Sequence, residues 1–164
     1  MEPVEATAAD VERLEVFFRE AWGESGPGGL GFTGTTEETI NEISSKEFLL
    51  KRLANTDVQM YIVQDASRVL GFASTRRINE YSIELSGIIV LERATGKGLG
   101  TKLAQKALSA AREAGYRKAV VKTETFNVRA IGFYKKMGFT DVGTAKENVE
   151  GTPVEVVILE RPLQ

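Results

Sequence analysis

The sequence contains neither cysteine nor histidine. The absence of cysteine excludes disulfide bonds and thiolate nucleophiles, and the absence of both residue types excludes the zinc sites that they form. A catalytic triad with a histidine base is excluded as well. Any catalysis must therefore use carboxylates, tyrosine, lysine, hydroxyl groups, the backbone or water, and we expect no metal cofactor.

Long apolar runs and blocks of like charge are also missing. No run reaches the roughly 20 apolar residues that span a bilayer, and residues 1–5 lack the basic and apolar regions of a signal peptide. The net charge is −2 and the basic residues are scattered, which argues against a nucleic-acid-binding surface. We expect a cytoplasmic protein that contacts neither membrane nor nucleic acid. Its 164 residues predict a single domain over 1–164, and a homodimer is compatible with the sequence.

The most informative segment is rich in glycine. It reads Thr95-Gly96-Lys97-Gly98-Leu99-Gly100-Thr101 and lies between an apolar run, Ile88–Val90, and a long amphipathic stretch. Glycines let the backbone turn sharply and bring several N–H groups to bear on an anion, and a helix that begins there adds the positive end of its dipole. The spacing fits neither a Walker A loop nor the dinucleotide fingerprint G-x-G-x-x-G. The segment predicts a pyrophosphate site of another kind.

Hydrophobic periodicity and turn signals predict the order of the elements. We expect a short opening strand, a first helix from the capping box at Thr7–Asp10 to Gly23, and a loop over Gly23–Gly31 that is either a surface connector or a mobile flap. One broken helix or two short ones should follow between Thr35 and Leu53. The remaining expected elements are strands near 60–63, 69–73 and 82–90, a helix over 97–114, a strand over 118–123, a helix from Val128, and strands near 141–146 and 154–159. This order predicts a mixed sheet with helices on both faces.

A second motif lies downstream of the glycine-rich segment. The pattern N-x-x-A-x-x-F-Y-x-x-x-G-F is matched by Asn127, Ala130, Phe133, Tyr134, Gly138 and Phe139. Together with the segment at 95–100, which fits Q/R-x-x-G-x-G/A apart from its first position, it resembles the GNAT superfamily of acyl-CoA-dependent N-acetyltransferases. The similarity runs from about Ser82 to Val142.

The resemblance implies an α/β (α+β) fold whose mixed, mostly antiparallel sheet has six to seven strands, and it implies acetyl-CoA as co-substrate. Carried over position by position, the expected cofactor-binding residues are Ile88, Val90, Thr95, Gly96, Lys97, Gly98, Leu99, Gly100, Thr101, Asn127 and Tyr134. One position departs from the family pattern, because Thr95 stands where glutamine or arginine is usual. Arg93 or Lys97 could supply the missing positive charge.

The resemblance also implies catalytic roles. An amine attacks a thioester only when it is neutral, yet an alkylamine with a pKa near 10.4 is protonated at pH 7. The family position for the proton acceptor falls on Glu84, which strand alternation sets on the opposite face from Ile83 and Leu85. Glu80 or a water molecule is the alternative, and an outward-facing Glu84 without a role is the simpler interpretation.

Two further groups complete the expected chemistry. The family uses a backbone N–H at the end of this strand, here at Val90 or its neighbour, to stabilise the oxyanion. Tyr134 stands at the position of the general acid that protonates the leaving thiolate. Asn127 could cap the following helix, bind the pantetheine amide, or do both.

The acceptor is expected to be a primary amine, either a small molecule such as a polyamine or the amine of a peptide. Five acids near the first loop would suit a cationic acceptor, although helix starts favour acids for dipole reasons alone: Glu20, Glu24, Glu37, Glu38 and Glu42. The rival hypothesis is a non-catalytic acyl-CoA-binding or regulatory module of the same fold.

Overall fold

A seven-stranded sheet forms the centre of the part of the chain that the structure describes. The structure is a computed structural model and describes residues 1–25, 37–149 and 151–163. The strands are β1 (Val4–Glu5), β2 (Val58–Asp65), β3 (Arg68–Arg77), β4 (Ser82–Val90), β5 (Lys118–Glu124), β6 (Thr140–Val149) and β7 (Thr152–Pro162). The helices are α1 (Val11–Ser25), α2 (Glu37–Ile43), α3 (Lys46–Ala54), α4 (Leu99–Glu113) and α5 (Val128–Lys136).

The strands are ordered β1-β2-β3-β4-β5-β7-β6 across the sheet. Every neighbouring pair is antiparallel except β4 and β5, which are parallel. This confirms the mixed, mostly antiparallel sheet that the family resemblance implies. Helix α4 connects the two parallel strands, as such a crossover requires.

Helices cover both faces of the sheet. Two adjacent residues of β3 show this, because successive side chains of a strand point to opposite faces. Phe72 packs against Phe17 and Phe18 of α1, with ring centroids 6.4 and 4.9 Å away. A Cβ built on Gly71 would lie 3.0 Å from Leu103 of α4. One face of the sheet therefore carries α1 and the other carries α4, in agreement with the sequence.

Helix α1 begins as predicted and ends later than predicted. Thr7 and Asp10 form the expected capping box, in which the Thr7 hydroxyl accepts from the Ala9 N–H and the Asp10 carboxylate accepts from the Thr7 N–H. The helix continues through Gly23 to Ser25, so the expectation of a loop at 23–25 is wrong. A single glycine costs a helix only about 1 kcal/mol, and the neighbouring Ala21 and Trp22 are buried. The rest of the expected loop, 26–31, lies outside the described residues.

The remaining boundaries follow the sequence closely. Two short helices, α2 and α3, form where one broken helix or two short ones were expected, and the Ser45 hydroxyl accepts from the Phe48 N–H at the start of α3. Helix α4 begins two residues after the predicted Lys97, because the loop glycines before it have positive φ angles. The final hairpin is longer than predicted, and its strands end at Val149 and resume at Thr152. None of the described helices is long and apolar enough to cross a membrane.

Candidate active site

The glycine-rich segment joins the end of β4 to the start of α4. A short 3-10 turn over Glu92–Ala94 follows the strand, and α4 begins at Leu99 with Gly98 as its N-cap. Within the described chain, no side chain caps this helix and its first turn holds no acidic residue. An α-helix leaves its first N–H groups without intrahelical partners, and its N-terminus carries partial positive charge. The start of α4 can therefore bind an anion.

Two glycines of the segment adopt a conformation that other residues rarely take. The φ angles are +80° at Gly96 and +73° at Gly98. A Cβ at either position would meet no atom of the described chain within 4 Å. Glycine is therefore needed here for the shape of the backbone rather than for space, as the sequence predicts for a phosphate-binding turn.

Three polar or charged side chains in or next to the segment, those of Thr95, Arg93 and Lys97, differ in their hydrogen-bond and ion-pair partners. The Thr95 hydroxyl donates to the Glu92 carbonyl at 2.7 Å and closes the 3-10 turn. The Arg93 Nε lies 3.2 Å from Glu20 Oε2 on α1. Lys97 is exposed and forms no ion pair with any described residue. Of the two cations that could replace the family's usual side chain, Lys97 is the one left available.

Beside this segment the sheet opens between its two parallel strands. Strands β4 and β5 pair only where Ser82–Glu84 meets Lys118–Val120, and beyond that point they have no paired residues. A β-bulge in β4 accompanies the opening, because Thr75 of β3 lies opposite Leu85 while Ser74 lies opposite Gly87. Ser86 is the extra residue, and its hydroxyl lies 2.8 Å from that of Ser74. The result is a cleft within the sheet.

The edge of β4 that borders the cleft presents backbone groups. The Leu91 N–H donates to the Leu70 carbonyl of β3. Because hydrogen-bonding direction alternates along a strand, the N–H groups of Val90 and Ile88 point the other way, toward β5. No residue of β5 is paired with them. Both residues are among the expected cofactor-binding residues, and the N–H of Val90 or its neighbour is the oxyanion donor that the family resemblance implies.

The cleft continues into a cavity of about 520 Å³ on the α1 face of the sheet. Its lining combines apolar side chains of the first three helices with polar groups of the strands and of α5. The lining residues are Phe18, Trp22, Ile43, Phe48, Leu49, Arg52, Met60, Phe72, Ser74, Ser86, Gly87, Ile88, Ile89, Lys122, Thr123, Glu124, Phe126, Asn127, Ala130 and Tyr134. The cavity brings Ile88, Asn127 and Tyr134 of the predicted site together.

Tyr134 and Asn127 are placed by α5. The Asn127 side-chain oxygen accepts from the Ala130 N–H at 3.2 Å and caps the helix, which leaves its amide N–H groups for a ligand. The Tyr134 ring packs edge-on against Phe133 and Phe139 at 5.4 and 5.8 Å. Burial raises the pKa of Tyr134 to about 12. The phenol is therefore a hydrogen-bond donor throughout the neutral range.

The two predicted proton acceptors lie elsewhere. Glu84 occupies the face of β4 opposite Ile83 and Leu85, as expected, and its Oε1 lies 2.5 Å from a guanidinium nitrogen of Arg76. Glu80 lies in the exposed turn between β3 and β4. Neither is among the residues that line the cavity.

Three ionisable residues of the cavity, Arg52, Lys122 and Glu124, were not identified from the sequence. Glu124 is only 7% exposed and ends β5. It lines the cavity together with Ile88 of β4. Its position at the end of β5 could have identified it, because ligands of open sheets bind at the carboxyl ends of parallel strands. Arg52, in the last turn of α3, carries no comparable signal.

Comparisons with known proteins agree with this geometry. The model of the acetyltransferase (GNAT) family matches residues 19–139. An uncharacterized N-acetyltransferase of Escherichia coli, YjgM, is 37% identical over 62 residues, which are 38% of this chain and 37% of that protein. The L-methionine sulfoximine/L-methionine sulfone acetyltransferase of Pseudomonas aeruginosa is 26% identical over 82% of this chain and 77% of its own.

A solved structure shares the whole fold. The PaiA N-acetyltransferase of Thermoplasma acidophilum, crystallised in complex with coenzyme A, superimposes with a TM-score of 0.74 at 24% identity and covers 98% of both chains. The family model covers most of this chain, including the glycine-rich segment and the cleft. The chain therefore belongs to the acetyltransferase (GNAT) family and is an N-acetyltransferase.

Proposed function

We propose that residues 1–164 form a single catalytic domain that transfers the acetyl group of acetyl-CoA to a primary amine in the cytoplasm. The cleft between β4 and β5, which leads from the start of α4 into the cavity, is the observation that carries this proposal. The amine attacks the thioester directly in a ternary complex. A cysteine-linked acetyl-enzyme is excluded because the sequence contains no cysteine.

The cofactor would bind in an extended form along the cleft. Its pyrophosphate accepts hydrogen bonds from the backbone of Gly96–Thr101 at the start of α4, with Lys97 adding positive charge. Its pantetheine arm then pairs with the edge of β4 as an added strand would, since the N–H groups of Ile88 and Val90 face the cleft. The side-chain amide of Asn127 donates to the same arm. The Thermoplasma relative was crystallised in complex with coenzyme A, which supports acetyl-CoA as the co-substrate of this protein.

Two donors would stabilise the reaction. When the amine adds to the thioester carbonyl, a β4 backbone N–H at Ile88 or Val90 stabilises the oxyanion. When the intermediate collapses, the electron pair of the C–S bond moves to the sulfur and the Tyr134 hydroxyl donates to it. A thiol near pKa 8.5 is more acidic than a phenol near 12. We therefore propose that Tyr134 acts chiefly through this hydrogen bond.

A carboxylate on the cavity face would take the proton of the amine. Glu124 can act directly, because it lines the cavity as Ile88 does. Glu84 can act through water, because Arg76 holds it beyond the lining. We expect Glu124→Gln to lower kcat/KM at pH 7 at least tenfold and to recover above about pH 9, where the amine loses its proton unaided.

The matched comparison uses glutamine variants of three acids, Glu124, Glu84 and Glu80. We expect Glu84→Gln to cause a smaller loss with the same recovery, and Glu80→Gln to overlay the wild-type pH-rate profile because its side chain lies in an exposed turn. A larger loss in the Glu84 variant would assign the proton to Glu84 instead. Three unchanged profiles would leave water held by backbone carbonyls as the acceptor of the proton.

The acceptor is either a small amine or the amine of a peptide. The Pseudomonas relative is named for two derivatives of an amino acid, which supports a small acceptor of that kind for this protein. The test is a panel of amines, amino acids and short peptides with acetyl-CoA, read by release of free CoA thiol and by mass spectrometry of the acetylated product. Binding of acetyl-CoA without turnover of any amine would instead favour the non-catalytic module.

A further inference from the structure

The charged side chains that line the cavity differ in their partners. Lys122 is paired with Glu147 at 2.9 Å, and Glu124 also has an interaction within the chain. Arg52 forms no ion pair and no side-chain hydrogen bond with any residue that the structure describes. Its guanidinium carries five donors and stays protonated in proteins. A permanent cation that has no side-chain partner among the described residues therefore lies in the wall of the cavity.

The surroundings of Arg52 make this charge unfavourable in the free protein. Arg52 is half-buried in the last turn of α3, and Arg76 lies near it. Burial first, and then the repulsion of Arg76, lower the pKa of Arg52 below its usual value. Glu84 is bound to Arg76. An anionic group placed beside Arg52 would relieve both effects, since it would pair with the guanidinium and offset the neighbouring charge.

The position of Arg52 separates it from the proposed pyrophosphate site. Its neighbour Arg76 lies opposite Glu84, near the beginning of β4, whereas the glycine-rich segment follows Val90. Six residue steps along a strand span about 20 Å. Arg52 thus lies toward the end of the cavity remote from the cofactor phosphates, where the acceptor would enter.

We propose that the acceptor is an amine that also carries a carboxylate, and that Arg52 binds this carboxylate. The proposal rests on the acetyltransferase function proposed above and names its substrate class. A guanidinium binds a carboxylate through two parallel hydrogen bonds, which fixes orientation as well as affinity. With the carboxylate at Arg52, the rest of the acceptor lies in the cavity that Glu124 also lines. Apolar walls for the rest of the acceptor come from Trp22, Ile43, Phe48 and Met60.

The placement of the acidic residues argues against the cationic acceptor considered from the sequence. Glu20 is engaged by Arg68 and Arg93. Glu37, Glu38 and Glu42 are exposed, and none of these four lines the cavity. The side chain of Glu24 lies outside the described residues. The described acids near the first loop therefore form no binding site for a polyamine in this cavity.

The experiment compares acceptors that differ only in the carboxyl group. L-leucine, L-leucinamide and 3-methylbutylamine share one side chain, and L-phenylalanine, L-phenylalaninamide and 2-phenylethylamine form a second series. For wild type we expect the lowest KM with the amino acids. Arg52→Gln should raise the KM of the amino acids by roughly 10- to 100-fold, the scale of a lost hydrogen-bonded charge pair, and should leave the amides and amines within about twofold.

Controls separate charge from folding. Lys51→Gln removes the adjacent, exposed cation of the same helix and should leave every KM unchanged. Arg52→Lys keeps the charge without the two-pronged geometry and should fall between wild type and Arg52→Gln. Acetyl-CoA KM and thermal unfolding should be the same in all variants. Trp22 is the only tryptophan and lines the cavity, so its fluorescence reports acceptor binding without turnover.

The outcomes are distinguishable. If no amine releases thiol, the proposed function fails. If amines are acetylated but the amides and amines match the amino acids, or if Arg52→Gln changes all acceptors equally, the carboxylate proposal is wrong and the acetyltransferase function stands.

Discussion

Replacing Gly98 with aspartate is expected to raise the KM for acetyl-CoA by roughly 100-fold and to change kcat little. Gly98 is the N-cap of α4 with a φ of +73°, and no atom of the described residues lies within 4 Å of a Cβ there. The new side chain would meet no neighbour, although the positive φ strains any residue other than glycine there, and its negative charge would lie where the pyrophosphate is proposed to bind. The effect should appear in cofactor affinity rather than in chemistry.

The isosteric variant Gly98→Asn isolates the charge. Asparagine adopts the left-handed conformation as readily as aspartate does, so we expect it to bind acetyl-CoA within a few-fold of wild type. Calorimetric titration with CoA and with pantetheine completes the test. The aspartate variant should lose affinity for CoA and keep its weak affinity for pantetheine, which has no phosphate. Equal CoA binding by wild type and the aspartate variant would move the pyrophosphate away from this segment.

Removing the hydroxyl of Tyr134 has the second large effect. We expect Tyr134→Phe to retain acetyl-CoA affinity and to lower kcat by about 100-fold, the usual scale for a donor to a leaving group. The ring contacts with Phe133 and Phe139 remain in the variant, so its folding should be unchanged. Single-turnover measurements would assign the loss to chemistry rather than to product release.

The raised pKa of Tyr134 predicts how the kcat of the wild-type enzyme responds to pH. Because burial raises the pKa to about 12, the phenol keeps its proton where an ordinary tyrosine, near 10, would lose it. Wild-type kcat should therefore show no decline from phenol ionisation up to about pH 10. The control is Tyr116→Phe, which removes a half-buried hydroxyl outside the cavity. If Tyr134→Phe had the kcat of wild type, another group would serve the thiolate.

The order of the elements was predictable because each has a local cause. Periodic apolar residues identify α4, the capping box at Thr7 identifies the start of α1, and Asn127 identifies the start of α5. Alternation also placed Glu84 on the correct face of β4. These features depend on residues that are close together in the chain, so they can be predicted from one sequence alone.

The cleft and its charges depend on contacts between distant segments. The bulge at Ser86 is a matter of register between β3 and β4, and no local pattern distinguishes it. The ion pair of Glu84 with Arg76 follows from the same register. Arg52 reaches the cavity because α3 packs on β2. Periodicity shows which face of an element is buried, but it does not show which other element covers that face.

The short pairing of β4 with β5 has a consequence for the protein without its cofactor. Among the residues that the structure describes, only three pairs join the half of the sheet made by β1–β4 to the half made by β5, β7 and β6. The parts of β4 and β5 beyond this pairing therefore have open edges within the sheet. Most proteins have open edges only at the margin of a sheet, where they are protected from aggregation. A cofactor bound in the cleft would pair with β4 as an added strand does and would connect the two halves of the sheet. Acetyl-CoA should then be a folding ligand as well as a substrate, stabilising the native state in proportion to the logarithm of its concentration.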